Sequence, residues 1–182
     1  MTDETRLAVV VGLCAHGLTI VRDLHRRGVS VLALETNCKL PGVATRYTEI
    51  EFVREINGEG VVDSLLKVAQ ARRFPEKPIL FLTNDRMVEA VGNASEAVAR
   101  YYKLSWLPNA VDILPLLSKA NIEFRCAEAG FNYPRSAMVF NIANFLGNTD
   151  GFQYPLIVKP SKPLSSFKTL VLESPASLSM VE

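Results

Sequence analysis

The chain has 182 residues, of which 48% are hydrophobic and 21% charged; this is too apolar for a disordered protein and ordinary for a globular one. Its 20 basic and 19 acidic residues leave a net charge of +1, so no electrostatic footprint points to a nucleic acid or an anionic membrane surface. No apolar run approaches the roughly 20 residues of a bilayer span, and the polar start Thr2-Asp3-Glu4-Thr5 lacks the features of a secretory signal. Cys14, Cys38 and Cys126 are widely spaced without metal-ligand spacing, and read as reduced thiols in a cytoplasmic protein.

Leu7 to Val11 is a continuous apolar run ending at Gly12, the pattern of a strand covered on both faces. Leu18, Ile20, Val21 and Leu24 then recur at helical spacing among charged residues, and Gly28 stands where a helix-ending glycine belongs. Val29 to Leu34 is a second buried strand closed by Glu35, so the opening is a right-handed β-α-β unit. Thr48 to Val53 alternates like a short strand near a sheet edge, where Glu49, Glu51 and Glu55 read as a solvated face. Gly60 to Arg73 predicts a helix, Pro78 to Leu82 a strand ending in Thr83-Asn84-Asp85, and Met87 to Tyr102 a second long helix. The order β-α-β-β-α-β-α describes a Rossmann-like, doubly wound α/β sheet.

After Leu107-Pro108 the texture changes. Val111 to Ala129 predicts two short helices meeting near Ser118, the second stopped by Gly130; Ala137 to Phe140 a brief strand; and Ile142 to Leu146 a short helix. Tyr154 to Pro160 is a strand bounded by prolines, and Phe167 to Leu172 a further strand. Ser174-Pro175 reads as a helix start with the chain ending inside that helix, as in a truncated domain. The expected division is therefore residues 1–109 and an incomplete domain over 110–182.

The turn Gly12-Leu13-Cys14-Ala15-His16-Gly17 has glycines at the first and last positions of a dinucleotide fingerprint, but Cys14 stands where the backbone must approach a pyrophosphate. Three readings stay open: a dinucleotide site with Glu35 as the ribose acid, a tight turn without a ligand, and a pocket for another small molecule. Ligands of such sheets bind outside the carboxyl ends of the strands, which here carry Gly12, His16, Gly17, Glu35, Thr83, Asn84 and Asp85. From a helix N-terminus His16 can donate a hydrogen bond to a substrate carboxylate beside the helix-end amides, or it merely caps the helix or lies exposed. Thr83-Asn84-Asp85 equally suits a cap for the next helix.

The order of Gly12–Glu35, Pro41–Phe52, Ile79–Asp85, Lys119 and Tyr154–Pro160 resembles the ATP-grasp superfamily, closest to its carboxylate–amine ligase branch, often labelled as resembling carbamoyl-phosphate synthase large chains. The resemblance covers nearly the whole chain. It implies a pre-ATP-grasp domain followed by a truncated α+β ATP-grasp small lobe. It also implies ATP and Mg²⁺ as cofactors of the full-length protein, small-molecule carboxylate and amine substrates, and an acyl-phosphate intermediate. Pre-ATP-grasp domains often contribute to dimers, so a homodimer is open. Lys119, Lys159 and Lys168 stand where the family has nucleotide-binding residues, and a lysine ammonium is a compact charge suited to phosphate oxygens. The blander reading of Lys119 is a solvated helix lysine. Ser118 stands where aspartate is more frequent, and the loop at Ser161 to Ser166 lacks the family's glycines. The family's metal ligands belong to a larger lobe outside these residues, so this chain by itself is expected to be inactive, with no catalytic or metal residues of its own and no tightly bound cofactor.

Overall fold

The computed structural model describes residues 6–141, 144–145, 151–161 and 169–180. The chain divides into two compact units, Met1–Leu114 and Pro115–Glu182.

In the first unit, β1 (Leu7–Val11), β2 (Ser30–Glu35), β3 (Glu49–Phe52) and β4 (Ile79–Leu82) form one all-parallel sheet in the order β3-β2-β1-β4. The register pairs Val9 with Leu32 and with Leu80. The helices are α1 (Ala15–Arg26), α2 (Gly60–Arg72), α3 (Asp85–Asn93), α4 (Ser95–Ala99) and α5 (Ala110–Ile113). Side chains alternate across a strand, and here both faces are covered. Val9, Val11, Leu32, Leu34 and Leu80 pack under Val61, Leu65 and Val68 of α2 and Met87 and Val91 of α3. Val10, Val31 and Ala33 pack against Val21 of α1, with Val43 and Tyr47 alongside. Val9, Val10 and Val11 are fully buried, each contributing about 1.5–3 kcal/mol. That two-sided burial is why β1 shows no polar alternation.

The chain moves outward from β1 to β2 to the edge strand β3. Helix α2 then returns it to β4 on the other side of β1. The direction of winding reverses between β1 and β4, and in an open parallel sheet this is where a crevice forms at the carboxyl ends.

Three details depart from the sequence reading. The long helix expected over Met87–Tyr102 is broken at Ala94 (φ −108°, ψ 29°) into α3 and α4. Gly92 and Asn93 are poor helix formers, and a Cβ at Gly92 would sit 2.5 Å from Leu114 Cδ2, so close packing excludes a better helix former there. Tyr102, past the break, is buried and donates its hydroxyl to the Leu65 carbonyl at 2.8 Å. Glu49 and Glu51 do not simply face water, because Arg72 reaches both carboxylates at 2.7 Å from α2 and ties the edge strand to that helix. Finally, Ala137–Phe140 forms no strand: among the described residues it has no partner ladder, and a short apolar run is not held extended without one.

In the second unit, Ser118 is the N-cap residue of α6 (Lys119–Glu128), which ends before Gly130 (φ +69°). β5 (Leu156–Val158) pairs antiparallel with β6 (Leu170–Leu172), and Leu172 is fully buried. A 3-10 turn, Pro175–Met180, takes the place of the helix expected after Ser174. Most of the helix expected over 142–146 lies outside the described residues, and only 144–145 are seen as helical.

Candidate substrate site at the switch point

The turn after β1 is built on two close approaches. Gly12 has φ +88°, which a side chain rarely adopts, and a Cβ there would meet Thr83 Oγ1 at 2.7 Å. A Cβ at Gly17 would lie 1.8 Å from the Gly12 carbonyl oxygen, so α1 can start this tightly only with glycine at position 17. Thr83 closes the turn from β4, its hydroxyl donating to the Val11 carbonyl at 2.7 Å. Gly12, Gly17 and Thr83 therefore meet at the switch point.

Glu35 has a different place from the one its sequence position suggests. It is 1% exposed. One carboxylate oxygen accepts from Leu13 N–H at 2.7 Å; the other accepts from Thr36 N–H at 2.8 Å and Asn37 N–H at 3.1 Å. The side chain thus ties the turn after β1 to the turn after β2 and turns no oxygen outward. A buried carboxylate needs such donors, and here the backbone supplies them.

Asn84 is the N-cap of α3, accepting from Met87 N–H at 3.0 Å, while its amide donates to Asn57 Oδ1 at 3.0 Å. The capping reading of Asn84 is therefore realised, and the same side chain links the loops after β3 and β4. Asp85 is the exposed first residue of α3. Sequence reasoning missed three supports of this surface. Glu55 accepts from Ile56 and Asn57 N–H groups at 2.8 Å, which shapes the loop that carries Asn57. Gly42 lets the Pro41–Ala44 turn pass under the Leu13 carbonyl, where a Cβ would come within 2.1 Å. Asn57 itself carried no signal in the sequence beyond being a loop asparagine.

The exposed start of α1 holds the reactive groups. Cys14 is its N-cap residue and His16 is the second residue of the helix, its Nδ1 3.8 Å from the Cys14 sulfur. Partial burial opposes ionisation of the thiol. The N–H of Gly17, the His16 ring and N–H, and the Thr83 hydroxyl outweigh it and hold the pKa below the usual cysteine value. The start of a helix carries partial positive charge and N–H groups that face outward. The first-turn N–H groups of α1, with the His16 ring beside them, can thus receive a carboxylate.

No family model matches the chain, and no curated protein matches it either. Solved structures do. An ADP complex of N5-carboxyaminoimidazole ribonucleotide synthetase superposes with TM-score 0.72 at 13% identity over 97% of this chain and 43% of that one. The L-amino acid ligase of Bacillus licheniformis gives 0.67 at 15% identity, over 98% and 40%. The biotin carboxylase domain of Hydrogenobacter thermophilus 2-oxoglutarate carboxylase gives 0.61 at 13%, over 96% and 39%. The chain has the fold that these three enzymes share over this part of their length. The chain spans less than half the length of each of these structures.

The part of the chain shared with these structures includes both the four-stranded parallel sheet of the first unit and the second unit. In the second unit, Lys119 is the first residue of α6 and Lys159 follows β5 directly. Both are exposed, and neither forms an ion pair among the described residues. β5 is not the buried strand that its apolar run suggests, since Ile157 is 63% exposed. Lys168 and most of the loop from Ser161 to Ser166 lie outside the described residues. No cluster of three or more His, Cys, Asp or Glu suited to a metal ion occurs among the described residues. No helix among them is long and apolar enough to cross a membrane.

Proposed function

We propose that the chain is the N-terminal part of an ATP-dependent carboxylate–amine ligase that acts through an acyl phosphate. The observation that carries this reading is the extent of the likeness. It runs over 97% of the chain to an ADP-bound synthetase rather than stopping at the Rossmann-like unit, which many unrelated functions share. On this reading residues 1–109 are the pre-ATP-grasp domain and residues 110–182 begin the ATP-grasp domain. The N–H groups at the start of α1 and the His16 ring receive the substrate carboxylate, and Thr83, Asn84 and Asp85 form the opposite bank of the crevice. Gly12, Gly17 and Glu35 shape the α1 side of the crevice from beneath without touching the substrate.

Lys119, Lys159 and Lys168 neutralise nucleotide phosphates. Lys119 and Lys159 fit that task, being exposed and unpaired on the ends of regular elements. When bound, ATP supplies the phosphoryl group that activates the carboxylate. On this reading the Mg²⁺ ligands belong to the larger lobe, no step is assigned to the metal here, and the 182 residues alone do not turn over ATP. The protein is then cytoplasmic and its substrates are small molecules, with a homodimer left open.

The test is Lys159→Met in the full-length enzyme, which weakens ATP binding several-fold while leaving the thermal midpoint in place. Unchanged ATP affinity overturns the phosphate role. The alternative of a stand-alone dinucleotide-binding module lacks a free ribose acid, because both Glu35 oxygens are taken by backbone N–H groups. Titration of the chain with NAD(H) is expected to give no saturable binding; saturation would favour that alternative.

A further inference from the structure

The amino ends of the strands, opposite the crevice, hold a second feature. A cleft of about 220 Å³ lies between the end of α2, the residues preceding β4 and the end of α4. Arg73, Lys77 and Arg100 line it together with Phe74 and Tyr101, and no carboxylate is on its wall. Arg26, Arg27, Lys67, Arg72, Lys103 and Arg125 have acidic partners. Among the described residues Arg73, Lys77 and Arg100 have none, and neither do exposed cations scattered over the surface, such as Arg22, Lys39 and Arg86. What sets this cleft apart is that three such cations share one wall. The larger cleft next to it, about 560 Å³, differs in this respect, since Glu49 faces the same space as Arg46 and Arg72.

All three cations are exposed, and one of them is held in place. Lys77 Nζ donates to the Ala99 carbonyl at 2.8 Å, which draws its charge over the end of α4. Arg73 is the one non-glycine residue with positive φ among the described residues (φ 48°, ψ 56°). Glycine or asparagine would close α2 with less strain. The carbonyl ends of α2 and α4 also face this region and each adds about half a negative charge, which leaves a clear positive excess against three full cations.

We propose that this cleft is a binding site for a single phosphoryl dianion, the phosphate group of a small phosphomonoester or inorganic phosphate itself. Its volume is below the roughly 300 Å³ at which pockets for drug-sized ligands begin, so it suits a phosphoryl group with a short tail and not a whole nucleotide. Arg73 and Arg100 supply forked N–H donors matched to phosphate oxygens, Lys77 adds a point charge, and the Phe74 and Tyr101 rings are placed to cover an ester's apolar tail. The site lies at the opposite end of the sheet from the crevice, and it does not depend on the ligase reading.

The test is a calorimetric titration of the chain with inorganic phosphate and, separately, phenyl phosphate at low ionic strength. One-to-one saturation is expected. The double variant Arg73→Gly/Arg100→Ala weakens it about tenfold or more, with glycine fitting the backbone at 73. The double variant Arg22→Ala/Lys39→Ala removes the same charge elsewhere and stays within about twofold of the parent, as diffuse attraction alone would not allow. Far-UV circular dichroism checks that each variant is folded, and Arg100→Gln alone serves if the first pair is not. Tighter binding of phenyl phosphate identifies an ester ligand, and equal or weaker binding identifies free phosphate. Absence of saturation, or equal losses in the two double variants, overturns the proposal.

Discussion

Replacing Glu35 with glutamine tests whether its carboxylate holds the crevice together or faces a ligand. Three backbone N–H groups end on it at 2.7, 2.8 and 3.1 Å in a site that is 1% exposed. Glutamine keeps the shape but turns one oxygen into an NH₂. The less costly rotamer leaves the remaining oxygen on Thr36 and Asn37 and points the NH₂ at Leu13 N–H, donor against donor. One charge-assisted bond, worth about 1.5–3 kcal/mol, is lost, a buried donor is left unsatisfied, and the other two bonds weaken, for a total of about 3 kcal/mol. In a chain of this size that lowers the thermal midpoint by about 6–12 °C. The assay is thermal unfolding of the 182-residue chain followed by circular dichroism, with urea unfolding to give the free energy directly. A midpoint within about 2 °C of the parent would refute the argument, since it would mean that the carboxylate does not carry the turn.

Other expectations follow from the same geometry. Gly17→Ala forces a Cβ to within 1.8 Å of the Gly12 carbonyl and destabilises by about 2–3 kcal/mol or more, because backbone must move. Gly28→Ala meets nothing within 4 Å and faces only the penalty of φ +73°, about 1–2 kcal/mol; urea unfolding of the two variants should rank them in that order. Cys14 is alkylated by iodoacetamide faster than Cys38 and Cys126, and its rate–pH profile begins at lower pH than that of an ordinary thiol, because its pKa is lowered. His16→Ala shifts that profile to higher pH by removing one of the groups that favour the thiolate, and an unmoved profile would count against the pairing.

Much of the first unit was legible from local pattern. Continuous apolar runs mark β1, β2 and β4 because both faces of a parallel sheet are covered. The spacing of Leu18, Val21 and Leu24 marks α1, and Gly28 marks its end. The region after Leu107 was read less well. Short elements such as β5 and β6 have too few residues for periodicity to speak, and the apolar run at Ala137–Phe140 looked like a strand while lacking a partner. The candidate site was legible as a place, through the rule that ligands sit outside the strands' carboxyl ends, but the roles of its residues were not.

The sequence by itself determined the β-α-β unit, the alternation of strands and helices, and the glycine turn, since each depends on neighbours a few residues away. Tertiary structure decided who meets whom. Leu13 and Glu35 are 22 residues apart and bond because β1 and β2 are adjacent. Arg72 reaches Glu49 and Glu51 only because α2 packs beside the edge strand β3. Thr83 meets Gly12 across 71 residues because β4 lies on the far side of β1. Each of these pairings is set by the strand order β3-β2-β1-β4, which no local pattern encodes, because it results from how the helices distribute over the two faces of the sheet.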